Sequence, residues 1–167
     1  YYFSSMSKNI LEIKDLVTEF TGDKDSFKAV NGVSFSISEG EIVGVVGESG
    51  SGKSVTSLSA MGLISSPPGK ITNGEILLTK SDGETLDTTK LDAEVLRSIR
   101  GSEMSMIFQE PMTSLNPVYT CGNQVVEAIV LHKKVSKQEA KKITIELFKK
   151  VELPRPEAIF NQYPHQI

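Results

Sequence analysis

The spacing of hydrophobic residues divides the chain into a first part with strand-like patterns and a second part with helix-like patterns. Val33, Phe35 and Ile37 alternate with serines, which is the period of a half-buried strand. An earlier apolar segment, residues 10–20, is also predicted to be a strand. Residues 42–46 read Ile-Val-Gly-Val-Val, a β-branched run that is typical of a buried strand. Together these segments predict an antiparallel layer that leads into an α/β core.

Turn residues separate the elements that follow. Apolar residues at helical spacing predict a helix over residues 55–63, and the Pro-Pro-Gly of residues 67–69 ends it. A strand is predicted over residues 74–79. Ser-Asp-Gly at residues 81–83 predicts a hairpin-type turn, and residues 92–100 are predicted to form a short helix.

The pattern changes once more towards the C-terminus. Residues 104–108 form a second apolar run, predicted to be a strand that ends at Gln109. Ser136 and Glu139 have the spacing of a capping box at the start of a helix. In each of two helical segments the apolar residues share one face, namely Val125, Val126, Ile129 and Val130 in the first and Ala140, Ile143, Leu147, Phe148 and Val151 in the second.

Composition restricts the classes of protein that fit. The chain has 167 residues, enough for a domain with a sizeable core, and a formal net charge of −3, which gives no general reason to expect a nucleic-acid partner. Seven lysines lie between residues 133 and 150, but glutamates are interspersed, so a solvated helix surface is expected there. Cys121 is the single cysteine, which excludes an internal disulfide and favours a reducing cytoplasm.

No apolar run approaches the length of a membrane span, so any membrane role is expected to come through partners. Residues 1–5 precede Met6, which has the character of a native start. We therefore expect residues 1–5 to be foreign to the native protein.

One short stretch has the spacing of a phosphate loop (Walker A motif), G-x-x-x-x-G-K-[ST]. Its glycines allow successive backbone N–H groups to turn towards phosphate oxygens, and a following helix adds the positive end of its dipole. Lys53 is predicted to reach the β- and γ-phosphates of a nucleoside triphosphate, and the hydroxyl of Ser54 to bind the accompanying Mg²⁺. The residues predicted to bind nucleotide are Gly47, Glu48, Ser49, Gly50, Ser51, Gly52, Lys53, Ser54 and Val55.

A phosphate loop alone leaves kinases, GTPases and many ATPases open. The stretch Met-Ile-Phe-Gln-Glu-Pro-Met-Thr-Ser-Leu-Asn-Pro at residues 106–117 narrows the choice, because it resembles the Q-loop of ABC ATPases. Its form, together with the Gly-Glu-Ser-Gly-Ser-Gly-Lys-Ser loop, resembles the subgroup that powers oligopeptide, dipeptide and nickel importers. The resemblance extends through residues 29–35 and to the Tyr-Pro-His-Gln at residues 163–166.

The resemblance implies roles for particular residues. Gln109 and Lys53 would both be catalytic residues. The neutral amide oxygen of Gln109 suits Mg²⁺ or an attacking water. The segment that begins at Glu110 and ends at Pro117, residues 110–117, would contact membrane subunits. Phe20 would stack on adenine, with Phe27 as the alternative. Val55 stands where the family often has threonine. The backbone N–H of Val55 would still be available to phosphate, although the side-chain contact of a threonine would be lost.

The resemblance also implies an architecture and a set of partners. The expected fold is an α/β P-loop NTPase core with an N-terminal antiparallel β-layer over residues 6–118, and the start of a helical subdomain over residues 119–167. The expected cofactors are ATP and Mg²⁺. The expected partners are a homologous ATPase subunit, joined head to tail, and transmembrane permease subunits at the cytoplasmic face of the membrane, with an extracytoplasmic solute-binding protein acting indirectly.

Members of this family continue into a signature motif, a Walker B strand and a switch histidine, whereas this sequence ends at Ile167. Because phosphoryl transfer needs several parts at once, this chain alone is expected to bind nucleotide without turnover. The alternatives are a soluble ABC ATPase that acts on nucleic acid or ribosomes, and a nucleotide-binding module. A small-molecule kinase ranks last, because the N-terminal layer and the Q-loop flank are foreign to that class.

Overall fold

A computed structural model describes residues 8–22, 25–108 and 114–167. The chain divides into two compact units, Tyr1–Ser105 and Met106–Ile167.

The first unit contains an antiparallel sheet of four strands in the order β2-β1-β3-β4. The strands are β1 Asn9–Thr21, β2 Ser26–Ser38, β3 Gly69–Thr79 and β4 Thr85–Asp87. The predicted hairpin turn at residues 81–83 lies between β3 and β4, where the Gly83 N–H donates to the Lys80 carbonyl at 2.9 Å. The predicted antiparallel layer is therefore confirmed, with β3 longer at its start than the sequence indicated.

The described residues of the first unit also form two helices and one 3₁₀ turn: α1 Lys53–Ala60, the 3₁₀ turn Thr88–Lys90 and α2 Ala93–Ile99. Asp92 caps α2, because its side chain accepts the N–H groups of Glu94 and Val95 at 3.0 and 2.9 Å. Both predicted helices are confirmed, and α1 ends well before the Pro-Pro-Gly.

A small hydrophobic core joins α1 to the sheet. Ile13 and Leu16 of β1 are buried together with Ala60 of α1 and with residues of β2 and β3. The side chain of Val55 packs against this cluster from the first turns of α1. Burial of one face of α1 therefore fixes the helix over β1, which places the loop in front of it.

The second unit is helical, with α3 Cys121–Lys133, α4 Lys137–Lys150, α5 Pro156–Phe160 and a 3₁₀ turn at Pro164–Gln166. Phe148, Ile159 and Phe160 form its buried core. The predicted cap of α4 is confirmed on the side of Ser136, whose hydroxyl accepts the Glu139 N–H at 3.2 Å.

The lysines of this second unit lie on a solvated surface, as the sequence predicted. All seven lysines between residues 133 and 150 are exposed. Lys149 forms an ion pair with Glu146 at 3.0 Å and Lys142 one with Glu139 at 3.9 Å, both exposed pairs one helical turn apart.

Two predicted strands are corrected by the structure. Residues 42–46 and 104–108 belong to no strand, and Met104 contributes only an isolated bridge to Arg100. Ile42 and Val46 are 98% and 96% exposed. An apolar run becomes a strand only when neighbouring strands pair with its backbone, and no strand in the described part of the chain pairs with either run.

Cys121 is buried at the start of α3. Burial raises the pKa of its thiol, and this outweighs the lowering by a backbone hydrogen bond. A packed, unreactive thiol is the result.

None of the described helices combines the length and the apolar character needed to cross a membrane.

A buried pair of hydroxyls ties α1 to the sheet. The hydroxyls of Thr18 on β1 and Ser59 on α1 lie 2.8 Å apart, and both residues are buried. Because the Ser59 hydroxyl also donates to the Val55 carbonyl at 2.8 Å, the Thr18 hydroxyl must be the donor of the pair.

We predict that Thr18→Val, which keeps the shape and removes the hydroxyl, lowers the free energy of unfolding by about 1 kcal/mol. Urea denaturation followed by circular dichroism measures the effect. Thr79→Val is the control, because the Thr79 hydroxyl bonds an exposed partner, Thr85, and water can replace it. Equal effects of the two substitutions would contradict a role for the buried pair.

Candidate nucleotide-binding site

The phosphate loop of residues 47–54 turns tightly before α1. Gly50 and Gly52 have φ angles of +81° and +90°, a region of backbone conformation that favours glycine. The Ser51 N–H donates to the Glu48 carbonyl at 3.2 Å and closes the turn. Two of the three glycines in the loop thus adopt backbone conformations that favour glycine.

Gly52 also marks the closest approach of the loop to the sheet. A Cβ atom at this position would lie 2.3 Å from the carbonyl oxygen of Ala29 and 3.5 Å from Cγ2 of Val30, both on β2. A distance of 2.3 Å is far below contact distance, and the obstacle is backbone. Only glycine allows the loop to rest on β2 in this way.

Lys53 bends back over the loop that precedes it. Its ammonium group donates to the carbonyls of Gly47 and Glu48, each at 2.7 Å, and to the Ser51 hydroxyl at 3.3 Å. These bonds hold the positive charge above the turn. An anion bound in the loop would therefore meet the ammonium group at short range.

The N-terminus of α1 is open to a ligand. Gly52 is its N-cap residue and provides no side-chain cap. The Thr56 N–H makes a helical hydrogen bond to the Gly52 carbonyl at 2.8 Å. The N–H groups of the residues before Thr56 in the first turn have no acceptor within the helix. Such groups, with the helix dipole behind them, bind anions.

The residues present fit a triphosphate with Mg²⁺. Ser54 is exposed in the first turn of α1, where its hydroxyl oxygen is accessible to a cation. Val55 is half-buried against the core, which explains how an apolar residue serves at this position. Glu48, Ser49 and Gly50 are exposed at the outer side of the turn. The loop, Lys53 and Ser54 are thus assembled in one place by the first unit.

The two aromatic candidates for adenine stacking lie against each other. The rings of Phe20 and Phe27 are 5.6 Å apart and nearly parallel, with an interplanar angle of 17°. Phe20 is half-buried and packs on Gly69, where a Cβ would lie 2.8 Å from Phe20 Cε1. Phe27 is 64% exposed. Phe27 therefore offers the more accessible ring, and the assignment of Phe20 stays a prediction.

Gln109, predicted to bind Mg²⁺, lies outside the described residues, as do residues 110–113 of the segment predicted to meet membrane subunits. The described remainder of that segment begins at Ser114. Among the described residues, no three His, Cys, Asp or Glu side chains are grouped as metal ligands. A serine hydroxyl and an amide oxygen are a different donor set, so that finding leaves the predicted Mg²⁺ ligands untested.

One contact at the other end of α1 could not be predicted from the sequence. The guanidinium of Arg100 donates to the Met61 carbonyl at 2.8 Å and to the Gly62 carbonyl at 2.5 Å. Both carbonyls lie at the C-terminal end of α1, opposite the phosphate loop. A cation at this end complements the helix dipole. No local motif signals the bond, because 38 residues separate Arg100 from Gly62.

Comparison with known proteins agrees with this geometry. The model of the ABC transporter family matches residues 30–165, most of the chain. This chain belongs to the ABC transporter family. The matched range begins on β2 and includes the whole phosphate loop.

Two relatives illustrate the similarity within the family. The oligopeptide transport ATP-binding protein AppD of Bacillus subtilis is 49% identical over 158 residues, which are 95% of this chain and 47% of the relative. The dipeptide transport ATP-binding protein DppD of Haemophilus influenzae is 43% identical, over 95% of this chain and 46% of the relative. The chain thus spans about half the length of these relatives.

A solved structure supports the fold. The ATP-binding cassette MJ0796, captured as a dimer in a post-hydrolysis state with ADP and phosphate, has a TM-score of 0.76 and 27% sequence identity to this chain. The match covers 94% of this chain and 62% of that one. The predicted ABC ATPase fold class is confirmed.

We predict that Gly52→Ala weakens ATP binding by more than about tenfold, a loss of more than roughly 1.4 kcal/mol. The added methyl group would strike the Ala29 carbonyl and force the loop off β2. Titration with a fluorescent ATP analogue measures the affinity.

Two glycines of the same region provide matched controls. Gly50→Ala has open space around the new Cβ and suffers only the strain of its positive φ. Gly44→Ala has neither obstacle nor positive φ and should bind as the parent does. Equal affinities of the Gly52→Ala and Gly50→Ala variants would contradict the importance of the contact with β2.

Proposed function

We propose that this chain is the ATP-binding part of the energy-coupling subunit of an ABC importer for oligopeptides or dipeptides, whose complete form hydrolyses ATP to drive uptake. The observation that carries the proposal is the phosphate loop, with Lys53 above it and an uncapped helix N-terminus behind it. The identity to relatives named for oligopeptide and dipeptide transport supports the choice of importer.

In this proposal the loop binds the phosphates of ATP through backbone N–H groups of residues 47–55. Lys53 moves its ammonium from the loop carbonyls towards the β- and γ-phosphates, where it offsets the charge that develops during transfer. Ser54 and Gln109 hold Mg²⁺, which neutralises phosphate charge when bound. Phe20 stacks on adenine, and its ring is already braced by Gly69 and Phe27.

The proposed partners follow from the same family. A second, homologous ATPase subunit joins head to tail, consistent with the dimeric MJ0796 structure. Residues 110–117 contact transmembrane permease subunits, which hold the protein at the cytoplasmic face of the membrane and connect it indirectly to a solute-binding protein. Residues 6–118 act as the nucleotide core and residues 119–167 as the start of the helical subdomain. No nucleic acid takes part.

We predict that Lys53→Ala weakens the binding of MgATP by about ten- to a hundredfold, since charge-assisted hydrogen bonds contribute roughly 1.5–3 kcal/mol. Equilibrium dialysis with labelled ATP measures the effect. Lys70→Ala is the matched control, because Lys70 is an exposed lysine on β3. Unchanged affinity in the Lys53→Ala variant would refute nucleotide binding at this loop.

We predict that the full-length protein, purified with its permease in lipid vesicles, hydrolyses ATP several-fold faster when a peptide-loaded solute-binding protein is added. The increase should disappear in the Lys53→Ala variant. Phosphate release measures the rate. Equal rates with and without peptide, while MgATP still binds, would refute the importer role and leave nucleotide binding intact.

A further inference from the structure

The side chain of Gln124 on α3 holds the backbone of the turn that precedes this helix. Its Oε1 accepts the Asn116 N–H at 2.8 Å. Its Nε2 donates to the carbonyls of Asn116 and Tyr119, both at 3.0 Å. The reverse orientation of the amide would set its oxygen against two carbonyl oxygens, so chemistry fixes the orientation.

The turn that Gln124 holds is itself compact. The Asn116 side chain accepts the Val118 N–H at 3.1 Å, and the Tyr119 N–H donates to the Asn116 carbonyl at 3.3 Å. One carbonyl thus receives both a backbone N–H and the Gln124 amide. Residues 116–119 form a single hydrogen-bonded turn with Gln124 as its clamp.

The start of α3, which carries Gln124, is packed tightly against the core of the helical unit. Gly122, in the first turn of α3, is buried so tightly that a Cβ would lie 2.3 Å from the ring of Phe160. The Cys121 N–H donates to the Gln162 carbonyl at 2.8 Å. Phe160 belongs to the core of the helical unit. Gln124 therefore joins the turn to the packed helices.

The turn presents apolar side chains on this fixed backbone. Val118 is 69% exposed and Tyr119 is 58% exposed. Ordering such a backbone before contact removes part of the entropy cost of binding. A rigid turn with exposed apolar side chains is suited to transmit a displacement, whereas a loose loop would absorb it.

We propose that Gln124 is a positioning residue. It makes residues 116–117, the end of the segment predicted to contact membrane subunits, move as one body with the helical unit, so that permease movement reaches the ATPase. The inference rests on the proposed function, since that function supplies the permease contact at residues 110–117. Gln124 has no role in the nucleotide chemistry proposed above.

The clamp is tested first in the chain itself, without any partner. Gln124→Ala should raise the hydrogen-exchange rate of the Asn116 amide by about tenfold or more, measured by NMR, because that N–H loses its acceptor. Asn123→Ala, which removes an exposed amide one residue earlier, should leave the rate unchanged. Gln124→Glu places a carboxylate oxygen against the carbonyls of Asn116 and Tyr119, so it should also raise the Asn116 rate. An unchanged Asn116 rate in the Gln124→Ala variant would overturn the clamp.

The coupling role is tested in the full-length protein with its permease. Gln124→Ala should keep the parent's affinity for MgATP and basal ATP hydrolysis, and lose most of the peptide-stimulated increase. Asn123→Ala should keep all three. Full stimulation in Gln124→Ala, beside a raised Asn116 exchange rate, would overturn the positioning role. A parent protein that shows no stimulation would refute the proposed function and the coupling with it, and the exchange result would still decide the clamp.

Discussion

The contact between Gly52 and the carbonyl of Ala29 is the constraint on which the nucleotide site depends. At this point the backbone of the phosphate loop rests on β2 with no room for a side chain. The conformation of the loop and the position of Lys53 above it depend on this contact. The sheet of the first unit thus sets where phosphate can bind, although none of its strands supplies a phosphate ligand in the proposed mechanism.

The core below α1 keeps this contact in place. Val55 packs into the cluster around Ile13 and Leu16, and Ser59 bonds to Thr18 on β1. The two attachments differ in kind, since burial of Val55 is non-directional while the hydroxyl pair fixes the rotation of the helix. Together they hold the face of α1 that carries Ser54 towards solvent.

Local chemistry explains which parts of the fold could be predicted from the sequence. The cap at Ser136, the turn at residues 81–83 and the phosphate loop each depend on residues close together in the chain. The prediction of a strand at residues 42–46 was wrong. Their apolar pattern indicates a preference for burial, but a strand also needs neighbouring strands that pair with its backbone, and the pattern says nothing about those. The clamp at Gln124 was not predicted, because nothing in the sequence around a glutamine on a helix indicates which groups its side chain will bond.

The two ends of α1 show how a contact distant in sequence completes a local motif. A helix whose N-terminus binds anions has its complementary partial negative charge at the other end. There the carbonyls of Met61 and Gly62 receive the guanidinium of Arg100, and the left-handed φ of +62° at Gly62 brings the second carbonyl within reach. Arg100 is the C-cap residue of α2, so its side chain ties the end of α2 to the C-terminal end of α1. Arg100 therefore connects two helices of the first unit through groups that are 38 residues apart in the chain.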